Sequence, residues 1–260
     1  MVMNQVNRTL YIPLYGKSYV SKKGIILSDP KAEEIWAAEG FALKGKSRSK
    51  WLAYYMGMRA AVFDRWMKQQ LDAMPGAVVL HLGCGMDSRV LRVGAQRLWY
   101  DVDFPDVIAE RKKYYRETEH YKMLGTDVRN QDFLAQIDAK NAIVVMEGIS
   151  MYLKREELTQ ILTGLCAHFE QVALLMDCYT ELAAKASRYK NPINDVGVTE
   201  VYGLDDPVLL ENSGLAFIRE HEMTLAELIV QLRGAERFVF EKLYAGSIAK
   251  KMYRLYEYRR

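Results

Sequence analysis

The sequence predicts an α/β protein built on a doubly wound, mostly parallel sheet, and two patterns support this prediction. Short apolar runs typical of buried parallel strands recur along the chain. Helical patterns lie between them, such as the 3.6-residue spacing of Leu158, Ile161 and Leu165. This alternation of strand and helix is typical of a sheet with helices on both faces. The apolar runs are residues 77–82, 97–102, 142–147 and 171–178.

The first 75 residues are predicted to form a helical cap that belongs to the same domain as a core of residues 76–260. Asp29 and Pro30 supply a helix cap and a first helical position, and Gly40 supplies the end of that helix. The basic segment 44–50 predicts a loop. A longer helix follows, because its apolar residues from Trp51 to Trp66 form one stripe.

The tail is predicted to add strands at the edge of the sheet. Residues 216–222 and 237–244 are the candidate strands, and a helical segment, 223–232, separates them. The basic and aromatic end of the chain, residues 249–260, is predicted to be a terminal helix with packed tyrosines and solvated arginines. Its alternative role is contact with RNA.

Composition and charge exclude several classes of protein. Half of the 260 residues are hydrophobic and 27% are charged, a mixture typical of folded rather than disordered chains. A net charge of +3 gives no indication of a nucleic-acid or membrane partner. No apolar run approaches the roughly 20 residues that span a bilayer, and we expect no signal peptide. The three cysteines lack metal-ligand spacing, so we expect reduced thiols, a cytoplasmic location and no metal site.

A glycine-rich turn directly after the first strong strand is the clearest indication of chemistry. Gly83 and Gly85 stand in the segment LGCGMDSR, where glycines let a ligand approach the backbone and the next helix offers N–H groups. Asp103 ends the next strand, eighteen residues beyond Gly85, where a carboxylate can accept hydrogen bonds from ribose hydroxyls. A tight turn alone would also use such glycines, but the acidic residue favours a nucleoside-containing cofactor.

Two cofactor classes use this arrangement, and the charges near the turn distinguish them. Dinucleotide enzymes normally have a third glycine, because a pyrophosphate sits on the helix N-terminus. Here Ser88 takes that position, and Asp87 adds negative charge near Asp103. S-adenosylmethionine has no phosphate and carries a sulfonium cation, which carboxylates favour. The turn therefore predicts S-adenosylmethionine as cofactor and S-adenosylhomocysteine as product, with a nicotinamide-dependent reductase as the alternative enzyme.

Further acidic residues follow later strands. Asp127 comes after the third strand and is placed to bind an adenine amino group, and Val128 offers a backbone N–H and an apolar contact. A turn or cap aspartate would produce the same pattern. Glu147 ends an apolar run, and the carboxyl end of a central strand faces the ligand crevice in such sheets. The alternative for Glu147 is a structural ion pair.

Arg59 is the informative residue of the cap. It falls at the edge of the apolar stripe of the long helix, whereas Asp64 is predicted to point away. A basic group at a buried edge requires an anionic partner, which makes Arg59 a candidate clamp for the cofactor carboxylate. Lys17 is a weaker candidate for the same role. The alternative for Arg59 is that its side chain packs along the apolar surface and extends its charged end to solvent.

Five segments resemble, in the same order, the leucine carboxyl methyltransferase family, which includes polyketide-tailoring O-methyltransferases of the tetracenomycin type. The resemblance runs over about residues 9–152. It implies a Rossmann-like class I methyltransferase fold with a seven-stranded sheet and an N-terminal helical cap. The segments are IPLYGKSYVSKKGIILSDPKAEEI, the helix that contains Arg59, VVLHLGCGMDSRVLRV, WYDVDFPDVIAERK and VVMEGISMYL.

The resemblance also implies how the methionine part of the cofactor is bound. Lys17 and Arg59 would hold its carboxylate, Gly83 would line it, and Glu147 would face its amino group. His81 replaces an asparagine that often precedes the turn, and we expect it to be a core histidine rather than a base.

The nucleoside part would contact the other candidates. Asp103 would bind the ribose, and Asp127 and Val128 would contact the adenine. Cys84 stands where the family usually has alanine, which is a small change.

We therefore expect methyl transfer to an oxygen, a carboxylate or hydroxyl of a small, polyketide-like molecule. A carboxylate acceptor needs no general base, whereas a phenol does. Tyr152 is a candidate for the acceptor pocket, and so are Asp177, Cys178 and Tyr179 at the end of a strand. No residue is assigned as catalytic. The alternatives are carboxyl methylation of a protein C-terminus, the reductase, and a non-catalytic cofactor- or RNA-binding protein.

Overall fold

The computed structural model describes residues 9–39, 45–94, 96–187 and 200–260, and these form one seven-stranded sheet with helices packed against it. The strands are β1 (Val78–Leu82), β2 (Trp99–Asp103), β3 (Tyr121–Gly125), β4 (Asn141–Met146), β5 (Gln171–Tyr179), β6 (Ala216–His221) and β7 (Tyr253–Arg259). Their order is β3-β2-β1-β4-β5-β7-β6. The first five are parallel, and β7 runs antiparallel to both β5 and β6. The predicted α/β class and mostly parallel sheet are confirmed.

The helices precede, connect and follow these strands. They are α1 (Tyr11–Lys22), α2 (Pro30–Glu39), α3 (Lys50–Ala73), α4 (Arg89–Val93), α5 (Pro105–Arg111), α6 (Arg155–His168), α7 (Glu181–Ser187), α8 (Ala226–Ile229), α9 (Gly234–Leu243) and α10 (Ser247–Lys250). In the described part of the chain, none of them has the length and apolar composition needed to cross a bilayer.

The sheet separates two apolar cores, because successive side chains of a strand point to opposite faces. On one face, Val79 and Val145 belong to the same cluster as Trp66 of α3. On the other face, Leu80 clusters with Leu162 of α6. The long helix of the N-terminal region therefore packs directly against the sheet and brings its own side chains to the strand ends.

The N-terminal helices form largely where the sequence predicts them. Asp29 caps α2, since its Oδ1 accepts a hydrogen bond from the N–H of Ala32 at 2.9 Å. That helix ends at Glu39, and Gly40, its predicted end, lies outside the described residues. In the predicted loop 44–50, Lys44 also lies outside them, while Gly45–Arg48 forms a 3-10 turn that leads into α3.

Two predictions for the tail are wrong. The predicted strand 237–244 lies in the helix α9, where Phe240 is buried and Phe238 and Leu243 are exposed, as in an amphipathic helix. The predicted terminal helix is the strand β7, which buries Tyr256 and Tyr258. Because β7 inserts between β5 and β6, its stability depends on strands that are distant in sequence. Tyr256 and Tyr258 are therefore not exposed for the contact with RNA that was the alternative.

Candidate functional site

A cavity of about 310 Å³ lies at the carboxyl ends of the parallel strands, between the sheet and the helices α1 and α3. Its wall includes every residue that the sequence singles out for the cofactor or the acceptor, apart from Asp177 and Cys178. Those two are buried behind the wall, so the expectation that they line the acceptor pocket is wrong. The predicted residues on the wall are Lys17, Arg59, Gly83, Gly85, Asp103, Asp127, Val128, Glu147, Tyr152 and Tyr179.

The turn between β1 and α4 forms the floor of this cavity. Gly83 has a φ of +68°, and a Cβ atom there would collide with the side chain of Ile149. Only glycine therefore allows the turn to lie this close to Ile149. Beneath the turn, the ring of His81 is almost fully buried between Asp101 and Arg89, with a nitrogen 3.3 Å from an atom of each.

Asp103 is fixed at the edge of the turn by two backbone donors. The N–H of Gly85 donates to its Oδ2 at 2.7 Å, and the N–H of Phe104 donates to its Oδ1 at 2.8 Å. Burial raises the pKa of Asp103 to about 6, although these two hydrogen bonds oppose the shift. Each carboxylate oxygen has a further lone pair, so hydroxyl donors such as those of a ribose suit this position.

Arg59 is buried at the opposite end of the cavity and is held by two carboxylates. Its Nη1 donates to Asp177 Oδ2 at 2.6 Å, and its Nη2 lies 3.1 Å from Glu147 Oε1. Burial disfavours its charge, but these carboxylates hold the pKa of Arg59 above its usual range. Its Nε–H is buried and has no hydrogen-bond partner among the residues that the structure describes. A buried donor of this kind is costly unless an acceptor reaches it.

A network of buried ion pairs supports Glu147 from behind. Arg89 is fully buried and pairs with both Glu147 and Asp64, the latter at 2.8 Å. Arg92 pairs with Asp64 at 2.6 Å and with Asp87 at 2.8 Å. Burial opposes ionisation of Glu147, but the neighbouring arginines hold its pKa well below the usual range.

Lys17 of α1 joins this network. Asp64 belongs to it as well, although the sequence predicted that Asp64 points away from the apolar stripe of α3. Lys17 lies 3.1 Å from Asp87, so it reaches the turn rather than solvent. Asp64 is largely buried and does not point away, because α4 supplies Arg89 and Arg92 as its partners. The helical wheel of α3 contained no information about those arginines.

The loop after β3 forms a more open end of the cavity. Arg129 donates to both oxygens of Asp127 and also contacts Glu157 at 3.0 Å. Burial raises the pKa of Asp127, but the hydrogen bonds from Arg129 outweigh it and lower the pKa overall. Val128 packs against the core beside this pair. An adenine amino group would share Asp127 with an arginine already bound to it.

Three tyrosines line the remaining end, beyond Arg59 and Glu147. Tyr152 and Tyr179 are the predicted ones, and Tyr253 of β7 is a third that the sequence prediction missed. Tyr179 and Tyr253 meet edge to face, with ring centres 4.7 Å apart. Burial raises the pKa of Tyr152 and of Tyr253. The density of tyrosines in YRLYEYR was the signal for a strand here, because aromatic residues are enriched in strands.

Comparison with known proteins identifies related sequences. The family model described as leucine carboxyl methyltransferase matches residues 9–166. The tetracenomycin polyketide synthesis O-methyltransferase TcmP of Streptomyces glaucescens is 30% identical over 219 residues, which cover 82% of this chain and 81% of the relative. An S-adenosyl-L-methionine-dependent methyltransferase of Gibberella zeae, dpfgK, is 29% identical over 183 residues, which cover 64% of this chain and 61% of the relative.

Solved structures share the fold. The magnesium protoporphyrin IX methyltransferase of Synechocystis PCC 6803 with bound S-adenosylhomocysteine gives a TM-score of 0.52 at 12% identity, covering 89% of this chain and 93% of that one. The same enzyme with bound S-adenosylmethionine gives a TM-score of 0.50 at 13% identity, covering 90% and 98%. At this identity the likeness shows the arrangement of strands and helices alone.

Proposed function

Because this chain belongs to the leucine carboxyl methyltransferase family, we propose that it transfers the methyl group of S-adenosylmethionine to a carboxylate oxygen of a small, polyketide-like molecule. The family match and the 30% identical relative support an S-adenosylmethionine-dependent methyltransferase rather than a reductase. The polyketide context of that relative favours a small acceptor over a protein C-terminus. Three free, buried cysteines support a cytoplasmic location.

The residues of the cavity fit the cofactor. The Nε–H of Arg59, which no described residue accepts, offers a donor for a carboxylate. Glu147 offers acceptors for an amino group, and Asp103 is fixed for ribose hydroxyls. The turn that requires Gly83 leaves backbone rather than side chains on the floor. The residues proposed to hold the cofactor are Lys17, Arg59, Gly83, Gly85, Asp103, Asp127, Val128 and Glu147.

The state of the tyrosines is the observation that favours a carboxylate acceptor. A tyrosine hydroxyl with its ordinary pKa of about 10 already keeps its proton at neutral pH, and burial raises the pKa of Tyr152 and Tyr253 further. Both hydroxyls can therefore act as hydrogen-bond donors rather than as bases. A phenol acceptor would require proton removal, whereas a carboxylate is already ionised. The donors at this end of the cavity therefore suit an anionic oxygen.

The contribution of the chain to catalysis is mainly positioning. When bound, S-adenosylmethionine supplies an electrophilic methyl group on a sulfonium. Ile12, Met56 and Met151 line the wall with apolar surface that excludes water, while the tyrosine hydroxyls orient the acceptor oxygen. Holding two reactants in an attack geometry contributes several kcal/mol to the lowering of a barrier, roughly 7–11 in the best intramolecular cases.

The chemistry of the product tests this proposal. The protein is incubated with methyl-labelled S-adenosylmethionine and either a hydroxynaphthoic acid or the matching naphthol, and the product is then treated with alkali. We expect label only with the acid, released by alkali as methanol, because methyl esters hydrolyse and aryl ethers do not. We also expect a rate that stays level between pH 7 and 9. Methylation of the naphthol to an alkali-stable product with a rate that rises with pH would contradict the proposal.

A further inference from the structure

Asp177 lies near the end of β5, directly behind the cavity wall, and is fully buried. The parallel register of β4 and β5 places Glu147 and Asp177 at the same edge of the sheet. The carboxylate of Asp177 is engaged by two groups that do line the cavity. Its Oδ2 accepts from Nη1 of Arg59 at 2.6 Å, and its Oδ1 accepts from the N–H of Gly148 at 2.7 Å. One side chain therefore joins the cap helix α3 to the loop after β4.

Together with Glu147, Asp177 fixes the plane of the Arg59 guanidinium. Nη1 is bound to Asp177, and Nη2 lies 3.1 Å from Glu147, so the two ends of the guanidinium are held separately. Glu147 is shared, because its other oxygen pairs with Arg89. Without Asp177, Arg59 would compete with Arg89 for a single carboxylate and would lose one of its two anchors.

The same carboxylate fixes the loop that leads to the acceptor end. Gly148 has a φ of +77°, and a Cβ there would lie 3.5 Å from Nη2 of Arg59, so the loop and the guanidinium pack closely. The loop then places Ile149, Met151 and Tyr152 on the cavity wall. The hydrogen bond from Gly148 to Asp177 thus sets the position of this wall relative to Arg59.

We propose that Asp177 is a positioning residue for methyl transfer, which holds the Arg59 guanidinium in its binding orientation and fixes the loop of residues 147–153. Asp177 is fully buried and does not line the cavity, so it acts on the cofactor through Arg59 rather than by contact. The proposal rests on the proposed function, because that function assigns the clamp role to Arg59.

The substitution Asp177→Asn tests this role. The amide keeps the shape of the side chain, and its oxygen can still accept from Gly148, but its NH₂ group then faces the Arg59 donor. We expect the affinity for S-adenosylhomocysteine to fall about tenfold, as for the loss of one charge-assisted hydrogen bond. Calorimetric titration measures this without requiring an active enzyme. In steady-state kinetics, we expect the KM for S-adenosylmethionine to rise.

A second substitution separates positioning from a general structural role. In an Arg59→Gln background, Asp177→Asn should cause no further loss of S-adenosylhomocysteine affinity, because the two residues act as one unit. The matched control is Glu257→Gln. Glu257 is also a fully buried strand carboxylate, paired with Arg219 and His221. This control should lower the melting temperature without changing the affinity.

Two results with Asp177→Asn would contradict the proposal. Unchanged affinity in folded Asp177→Asn overturns it, and so does an equal loss in the Arg59→Gln background. If Asp177→Asn does not fold, Asp177→Glu tests the proposal instead. The longer side chain keeps the charge but cannot keep both the distance to Arg59 and the distance to the N–H of Gly148. Weaker binding by that variant supports the proposal, and wild-type affinity overturns it. A wild-type protein that does not bind S-adenosylhomocysteine would instead overturn the proposed function.

Discussion

The Arg59 end and the Asp127 end of the cavity are both lined by ion pairs, but the side chains of these pairs differ in their exposure to solvent. At the Arg59 end, the side chains of Arg59 and Glu147 are 2% and 4% exposed. At the Asp127 end, the side chains of Arg129 and Asp127 are 48% and 31% exposed. The first pair belongs to a network that continues through Arg89, whereas the second is partly exposed to solvent. An ion pair at the Arg59 end therefore affects folding stability more than an ion pair at the Asp127 end.

The physical reason lies in the cost of an unpaired charge. Removing one partner of a buried pair leaves an uncompensated charge and costs about 3–5 kcal/mol of folding stability. An exposed pair contributes only about 0.2–1 kcal/mol, because water and salt screen it. Substitutions at the Arg59 end should therefore affect folding and binding together, while those at the Asp127 end should affect binding weakly and folding hardly at all.

The largest effect is expected for Arg59→Ala. The substitution leaves Asp177 without its basic partner and Glu147 with Arg89 alone, so we expect the free energy of unfolding to fall by about 3–5 kcal/mol. Loss of the donor should weaken S-adenosylhomocysteine binding by roughly 1.5–3 kcal/mol. Urea denaturation and calorimetric titration measure the two effects.

Arg65→Ala is the matched control on the same helix. Arg65 pairs with Glu227, and its side chain is half exposed, so we expect little change in either quantity. Wild-type affinity in a folded Arg59→Ala protein would show that Arg59 does not contribute to binding. The expected difference in binding effect between the Arg59 end and the Asp127 end would then be wrong.

Asp103 should give an intermediate effect that depends on pH. Its pKa is raised to about 6 by burial, and ribose hydroxyls would donate to the ionised carboxylate. Affinity for S-adenosylhomocysteine should therefore increase with pH and be roughly tenfold weaker at pH 5 than at pH 7.5. Titrations across this range measure the slope, and Asp103→Asn should remove it. A wild-type affinity that is constant over the range would show that Asp103 does not bind as a carboxylate.

The candidate site residues that the sequence could predict are those at the ends of buried strands. Gly83, Asp103 and Glu147 were found because each stands at the end of an apolar strand, and the ends of parallel strands meet at one edge of a sheet. Local sequence order was sufficient to place them at one cavity. The sheet itself was predictable for the same reason, since its parallel strands are buried and read as continuous apolar runs.

Side chains whose environment is built by distant segments could not be predicted. Asp64 is buried because α4 supplies its arginine partners, and Tyr253 reaches the cavity because β7 pairs with β5. Asp177 was noticed only as a strand end, and its proposed role depends on Arg59 of the helix α3. In each case, the determining partner lies far away in sequence, where neither spacing nor periodicity reports it.

The smallest effect is expected for Asp127→Ala. Arg129 already satisfies this carboxylate and also contacts Glu157, so an adenine amino group would share Asp127 with Arg129. We expect S-adenosylhomocysteine affinity to fall by about 0.5–1 kcal/mol, the net value of one hydrogen bond, and stability to stay within about 0.5 kcal/mol of the wild type. The companion variant Arg129→Ala releases Asp127 from its pair and should leave affinity equal or higher. Calorimetric titration of both variants tests this. A loss at Asp127 as large as that at Arg59 would show that burial does not set the energetic order of the two ends.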